Sequence, residues 1–160
     1  MVDLVRVKIK ELEEFTKKVF LQLGMNEEDA RVSADVLIRA DRRGIESHGV
    51  ARLQRYVDDI KSGVIKINTE IQTIVETPVS LVIDGGGGVG QVIASKTMKR
   101  CIEKAKTNFM CFAAIRNSNH FGIAGYYTLM ALQENMIGLS FTNTAPLVVP
   151  TFGRDAVLGT

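Results

Sequence analysis

Apolar side chains recur along the first sixty residues at the spacing of a helix. Leu12, Phe15, Val19 and Leu23 form one stripe, the pairs Glu13–Lys17 and Glu14–Lys18 place opposite charges one turn apart, and Gly24 is positioned to end the helix. Asn26 is placed to cap a second helix, with Glu27, Glu28 and Asp29 in its first turn and Ala30, Ala34, Leu37 and Ile38 as its buried stripe. A third helix is expected from about Ser47, carrying Leu53, Tyr56, Val57 and Ile60 inward until Ser62-Gly63. The period then changes. Residues 70–76 and 79–84 are short β-rich runs joined through Thr77-Pro78, which reads as a hairpin. Gly85 to Gly88 lead into a helix from about Gly90 to Thr107, with Ala94, Met98, Cys101, Ile102 and Ala105 inside. Met110 to Ile115 reads as a buried strand, Gly122 to Asn135 as a helix and Ile137 to Thr142 as another strand, with Pro146 and Pro150 bounding a loop. The chain then stops at Val157-Leu-Gly-Thr160 on a β-like approach and reads as interrupted.

Composition narrows the classes. At 160 residues and 46% hydrophobic, the chain can bury one respectable core. A net charge of +2 with interspersed signs gives no basic face for nucleic acid, and Lys17-Lys18 and Arg42-Arg43 read as solvated helix surface. No apolar run would span a bilayer, and residues 1–10 alternate charge with aliphatics where a signal peptide would be apolar. Cys101 and Cys111 lack metal-site spacing and read as free thiols in a reducing compartment, so a cytoplasmic protein without a metal centre is expected.

The chemistry collects around His48 and His120, the chain's two histidines. Histidine exchanges protons near neutral pH, and each one sits in a polar cluster: Gly44-Ile-Glu-Ser-His-Gly-Val-Ala-Arg52 and Arg116-Asn-Ser-Asn-His-Phe-Gly122. If Ser47 caps the third helix, His48 lies in its first turn with Arg52 one turn on. Arg52 would then grip a carboxylate in bidentate fashion while His48 moves a proton on the neighbouring carbon's oxygen. An exposed arginine beside a structurally satisfied histidine is the competing reading of the same cluster. In the second cluster Ser118 and Asn119 could line a pocket or cap the following helix.

The run Gly85-x-Gly87-x-x-Gly90 has the spacing of a dinucleotide-binding fingerprint, between a strand and a helix. Against a Rossmann unit, four consecutive glycines satisfy many spacings, and the preceding strand reads as the second arm of a hairpin. The acidic residue expected after the next strand is also replaced by Arg116, which only an NADP-type site would use. The competing purpose is a tight turn needing positive φ.

Five stretches together carry a resemblance: Arg43-Gly-Ile-Glu-Ser-His-Gly-Val-Ala-Arg-Leu53, Val82-Ile-Asp-Gly with Gly88-Val-Gly-Gln91, Arg116 through Tyr127, Thr142-Asn-Thr-Ala-Pro146 and the closing Leu158-Gly-Thr160. In this order they resemble the type 2 malate/L-lactate dehydrogenases, whose relatives act on sulfolactate, ureidoglycolate, diketogulonate and piperideine-2-carboxylate. The resemblance implies NAD- or NADP-dependent interconversion of a small 2-hydroxy acid and its 2-oxo acid by a homodimer. It implies an α/β (α+β) fold: N-terminal helices over residues 1–64, then a largely antiparallel, non-Rossmann cofactor-binding domain begun by residues 65–160. His48 would be the proton donor, Ser47 would relay to it, and Arg52 and Thr160 would bind substrate. His120, Phe121, Gly122, Ile123, Ala124 and Thr144 would contact the cofactor. In some relatives the histidine matching His120 is the proton acceptor, so the acid/base role stays open between the two. Family chains are longer, which makes this sequence resemble the N-terminal part of a subunit with low turnover expected of it alone. The alternatives are a Rossmann-type unit built on Gly85–Gly90 and a non-catalytic truncated paralogue.

Overall fold

The structure, a computed structural model, describes residues 6–159. Helix α1 (Ile9–Gln22) turns through Gly24, at φ +92°, into α2 (Glu27–Asp41). The buried face of α1 is rotated by one position from the expected stripe: Thr16 and Phe20 are buried, whereas Phe15 is 58% exposed. Thr16 can occupy an inner position because its hydroxyl donates to the Leu12 carbonyl at 2.7 Å. The Asn26 side chain caps α2 by accepting from the Asp29 backbone N–H at 3.0 Å. Val32, Val36 and Ala40 are buried along with the expected Ala30, Ala34, Leu37 and Ile38, so α2 is enclosed on most sides.

The third helix begins later than its sequence implies. Two single 3₁₀ turns, Glu46–His48 and Val50–Arg52, precede α3 (Leu53–Lys61), and Gly49 between them is extended. Ser47 therefore caps no α-helix, and His48 lies outside the first turn of α3. Tyr56 of α3 joins Phe20, Leu37, Ile65, Val89 and Val92 in a core cluster that draws on both sides of residue 64.

Strands β1 (Gln72–Thr77) and β2 (Ser80–Gly88) form the expected hairpin, with Thr77 opposite Ser80. Helix α4 (Gly90–Asn108) then crosses over to β3 (Phe112–Ser118), which pairs with β2 in parallel. The sheet order is β1-β2-β3, with one antiparallel and one parallel ladder in an α/β arrangement. The hairpin objection to a parallel unit is thereby overturned: β2 is both a hairpin arm and the first strand of a β-α-β crossover. Leu81 and Ile83 of β2 bury themselves against Ile93 and Cys101 of α4.

Two strand expectations fail. β3 is an edge strand rather than a buried one, with Phe112 62% exposed, because among the described residues α4 covers one side of it and nothing covers the other. Residues 137–142 form no strand: after α5 (Ala124–Gln133) the backbone is irregular and exposed, and its single antiparallel bridge joins Val148 to Leu158. A strand needs a partner to satisfy its backbone, and residues 137–142 have none among those described. Tyr126 and Tyr127 of α5 pack on Val36 and Ala40 of α2. Among the described residues no helix is long and apolar enough to cross a membrane.

The glycine run makes a direct test of this packing. A Cβ on Gly90 would lie 2.1 Å from the Asn119 carbonyl oxygen and 2.5 Å from that of His120, both backbone atoms. A Cβ on Gly87 meets nothing nearer than 3.7 Å and suffers only from φ +75°. Gly87→Ala is expected to cost about 1–2 kcal/mol, and Gly90→Ala clearly more. Thermal melting of the two variants checks this, and equal losses would contradict the packing.

Candidate active site

The first histidine is placed by the end of α2. The Asp41 carboxylate accepts the Val50 backbone N–H at 2.9 Å, and it lies where a side chain on residue 49 would begin, 1.7 Å from that Cβ position. A side chain at residue 49 would have to push the Asp41 carboxylate off the Val50 N–H, so glycine is favoured between the two 3₁₀ turns. The pinned turn presents His48 with the Ser47 hydroxyl 2.9 Å from its Nδ1. Arg52 reaches back, its Nε donating to the Ser47 carbonyl.

The second histidine is placed by the glycine run. The Asn119 side-chain amide donates to the carbonyls of Gly87 at 2.8 Å and Gly88 at 3.0 Å, and the Asn119–His120 backbone lies against Gly90. The space that a dinucleotide fingerprint reserves for pyrophosphate is filled here by the chain's own backbone, so the Rossmann reading is set aside. Arg116, which an NADP variant of that reading would use, is held by Asp84 at 3.0 Å. Asn119 caps no helix, because α5 starts at Ala124 without a side-chain cap.

These two loops bring the imidazoles together. Their ring centroids are 5.4 Å apart and the planes 27° from parallel. Tyr56 completes the group, its hydroxyl 2.5 Å from Nδ1 of His120. The Gly122 backbone N–H also points at that nitrogen, at 3.3 Å. A backbone N–H can only donate, so Nδ1 carries the lone pair, Tyr56 donates to it as well, and the ring hydrogen sits on Nε2.

The electrostatics keep both rings neutral. Burial first, then Arg52, His48 and Arg55, push the His120 pKa down to about 4. Burial and then Arg52 lower that of His48 as well. Burial raises the Tyr56 phenol, which stays protonated. Arg39, Arg55, Arg100 and Arg116 are paired with carboxylates. Arg52 has no carboxylate partner among the described residues, and its only hydrogen bond uses Nε. An arginine fork beside two neutral imidazoles can receive a carboxylate.

The other candidates are spread more widely. Phe121 stacks on Tyr127 with centroids 5.2 Å apart. Gly122, at φ +80°, lies against Val36, and Ile123 is buried in the α2–α5 cluster. Ala124 opens α5. Thr144 lies on the exposed stretch after α5, against Gly159, and Thr160 lies outside the described residues. Tyr56 and Asp41 are site residues that sequence reasoning missed as such, and Asn119, expected to line a pocket or cap a helix, instead ties the His120 loop to the glycine run. Tyr56 had a signal, since it follows Arg52 by one turn and a purely apolar position would not call for its hydroxyl. Asp41 had none. Among the described residues no group of three or more His, Cys, Asp or Glu could hold a metal ion.

Comparison with known proteins matches residues 7–160 to the family described as malate/L-lactate dehydrogenase. A malate dehydrogenase of Pyrococcus abyssi is 54% identical over 156 residues, which is 98% of this chain and 43% of the relative. An L-sulfolactate dehydrogenase of Methanocaldococcus jannaschii is 44% identical over 142 residues, 89% of this chain and 41% of the relative. The solved structure of malate dehydrogenase from Pyrococcus horikoshii OT3 superposes with a TM-score of 0.91 at 50% identity, over 97% of this chain and 44% of that one. The chain thus spans less than half the length of these relatives.

The depressed histidine has a consequence for stability. Unfolded, His120 titrates near 6.5; folded, near 4. As pH falls below 6.5 the unfolded chain takes up a proton that the folded chain refuses, so the contribution of neutral His120 is complete above 6.5 and is lost as pH falls toward 4. Urea midpoints of wild type are expected to fall across that window more steeply than those of His120→Gln. Parallel curves would mean that His120 has an ordinary pKa in the folded protein.

Proposed function

The chain belongs to the malate/L-lactate dehydrogenase family, and from that membership we propose that it serves in NAD- or NADP-dependent interconversion of a small 2-hydroxy acid, such as malate, lactate or sulfolactate, and its 2-oxo acid. Residues 1–64 carry the proton-transfer and substrate groups, and residues 65–160 begin the cofactor unit. The observation that carries this reading is Arg52, uncommitted to any carboxylate and adjacent to two neutral histidines. The substrate carboxylate takes the terminal nitrogens of Arg52 and sets its 2-oxygen before the imidazoles.

His48 is the proton donor in this reading. His120 keeps its hydrogen on Nε2 and its lone pair engaged by Tyr56 and Gly122, so at neutral pH it can donate a hydrogen bond to the 2-oxygen, and its Nδ1 takes up a proton only in acid. His48 has the Ser47 hydroxyl on Nδ1 as its relay, leaving Nε2 for substrate. Because Arg52 is one of the two causes lowering His48, a carboxylate bound to Arg52 raises that ring's proton affinity just when a proton is needed. Reduction consumes one hydride at the carbonyl carbon and one proton at its oxygen, and oxidation returns both.

The bound nicotinamide ring supplies or takes up the hydride. The residues present fit such a group: α5 starts with no side-chain cap, and Gly125 in its first turn has no neighbour within 4 Å of where a Cβ would stand. A bare helix start accepts phosphate on its backbone N–H groups. His120 and Phe121 through Ala124 lead into that start, and Thr144 is assigned to the same cofactor on the family pattern. A cytoplasmic homodimer is the matching cellular form, and intact His48, Arg52 and His120 oppose the reading as a decayed paralogue.

A spectrophotometric panel of NADH and NADPH oxidation against oxaloacetate, pyruvate, sulfopyruvate and cyclic imino acids, run on the whole enzyme, names the acid. His48→Ala is expected to lower kcat by roughly 10²- to 10⁴-fold with cofactor binding nearly intact. Arg52→Lys should chiefly raise KM for the acid, since a point charge cannot copy bidentate recognition. Full kcat in His48→Ala, together with abolished kcat in His120→Ala at unchanged cofactor affinity, would transfer the proton donor to His120.

A further inference from the structure

Gln91, the second residue of α4, is fully buried, yet neither its amide nitrogen nor its amide oxygen has a hydrogen-bond partner among the described residues. A buried amide without partners is costly to keep, and leucine or methionine would fill similar volume without that cost. Its surroundings locate its purpose. The Gln91 Cγ lies 3.9 Å from where a Gly122 side chain would begin, against the turn that aims a backbone N–H at His120. Val89 and Val92, flanking it in the chain, share the core cluster of Tyr56, and against the larger upward effect of burial on the Tyr56 phenol the Gln91 amide acts downward.

Tyr56 is where an amide is useful. While Nδ1 of His120 is bare, the Tyr56 hydroxyl donates to it at 2.5 Å and the phenol oxygen is free to accept. A proton arriving on His120 must land on Nδ1, because Nε2 already carries one. The ring then donates toward Tyr56, the phenol oxygen must accept, and the phenol hydrogen has to turn elsewhere. An amide suits both states, offering N–H to the oxygen in the first and C=O to the hydrogen in the second. Leucine would serve neither state, and a carboxylate only the second.

We propose that Gln91 is a positioning residue for His120, its amide being the partner toward which the Tyr56 hydroxyl turns as His120 gains or loses a proton. This rests on the reading above in which His120 holds its hydrogen on Nε2. The groups facing His120 are His48, Arg52, Arg55 and Tyr56, and those facing Tyr56 include Arg52, Arg55, Asp59 and Tyr127. None of them lies on α4, so an uncharged substitution at residue 91 reaches His120 through Tyr56 or through packing alone, whereas a glutamate there also acts directly through its charge.

The test is an NMR titration of both imidazoles, following ring nitrogens, in wild type, Gln91→Leu, Gln91→Glu, Tyr56→Phe, and Gln91→Leu combined with Tyr56→Phe. In Gln91→Leu the His120 midpoint is expected to move to lower pH by up to about one unit, because the phenol hydrogen left unpaired when the ring is protonated costs more than the phenol lone pair left unpaired when it is neutral. In Gln91→Glu it should move to higher pH, and in the Tyr56→Phe background the leucine shift should vanish. Thermal melting establishes which variants are folded, Gln91→Met standing in if leucine is not tolerated. If acid unfolding precedes the midpoint, the shift is read from the upper limb. An unmoved His120 in folded variants, shifts of one sign for both substitutions, or a leucine shift that survives loss of Tyr56 would overturn the proposal. The underlying reading fails separately, if the wild-type spectrum at neutral pH shows the hydrogen on Nδ1.

Discussion

Gly90 has no room for a side chain, and much of the site depends on that. Helix α4 starts flush against the carbonyls of Asn119 and His120, while the Asn119 amide ties two carbonyls of the glycine run to the same loop. Strand β2, helix α4 and the loop after β3 thus meet at one point, with His120 at its edge. From there the imidazole reaches Tyr56 of α3, which is itself part of the core cluster that includes Phe20 and Leu37. The proximity of glycine backbone to something else is the same device a dinucleotide-binding loop uses. What approaches here is the chain itself.

The second constraint is electrostatic. Arg52, Arg55 and two imidazoles gather in one place, and the nearby carboxylate, Asp59, is taken by Arg55. Elsewhere on the surface, Arg39, Arg100 and Arg116 sit on acids. Folding tolerates the unbalanced cluster because both rings stay neutral. With centroids 5.4 Å apart, a charge on one ring opposes a charge on the other. The arrangement is therefore short of one negative charge, and in the proposed reading the substrate's carboxylate supplies it.

Local rules read well along the chain wherever local interactions decide. The α2 cap, the hairpin at Thr77–Ser80 and α4 follow from a capping side chain, a turn signal and a long apolar period. Most errors came where a partner remote in sequence decides, the bond of Thr16 to the Leu12 carbonyl being the local exception. The face of α1 turned because Thr16 could satisfy its own hydroxyl, and β3 proved exposed because burial depends on what covers a strand, which its own letters do not state. The late start of α3 goes with Gly49 lying extended between two 3₁₀ turns against Asp41, a contact between residues eight apart that nothing in the sequence marks. His48, Arg52 and His120 stood out by type and company. That Tyr56 and Gln91 stand with them needed the fold: the hydroxyl of Tyr56 in an apolar stripe was a signal without an address, and a glutamine after a glycine is locally unremarkable.

The two histidines differ in how they are held, and the difference matches different work. His48 rides on an exposed 3₁₀ turn fixed at its base by Asp41, with a serine hydroxyl as its neighbour. His120 is deeper, gripped by the glycine run and by two donors on a single nitrogen. Exchanging a proton requires access to water or substrate and a nitrogen that is free in turn; donating a fixed hydrogen bond requires only a rigid seat, and gains strength from burial. The first set of conditions is met at His48, the second at His120. In the proposed reading, access and the partners on each ring, more than any difference in the side chains, make one an acid and the other an anchor.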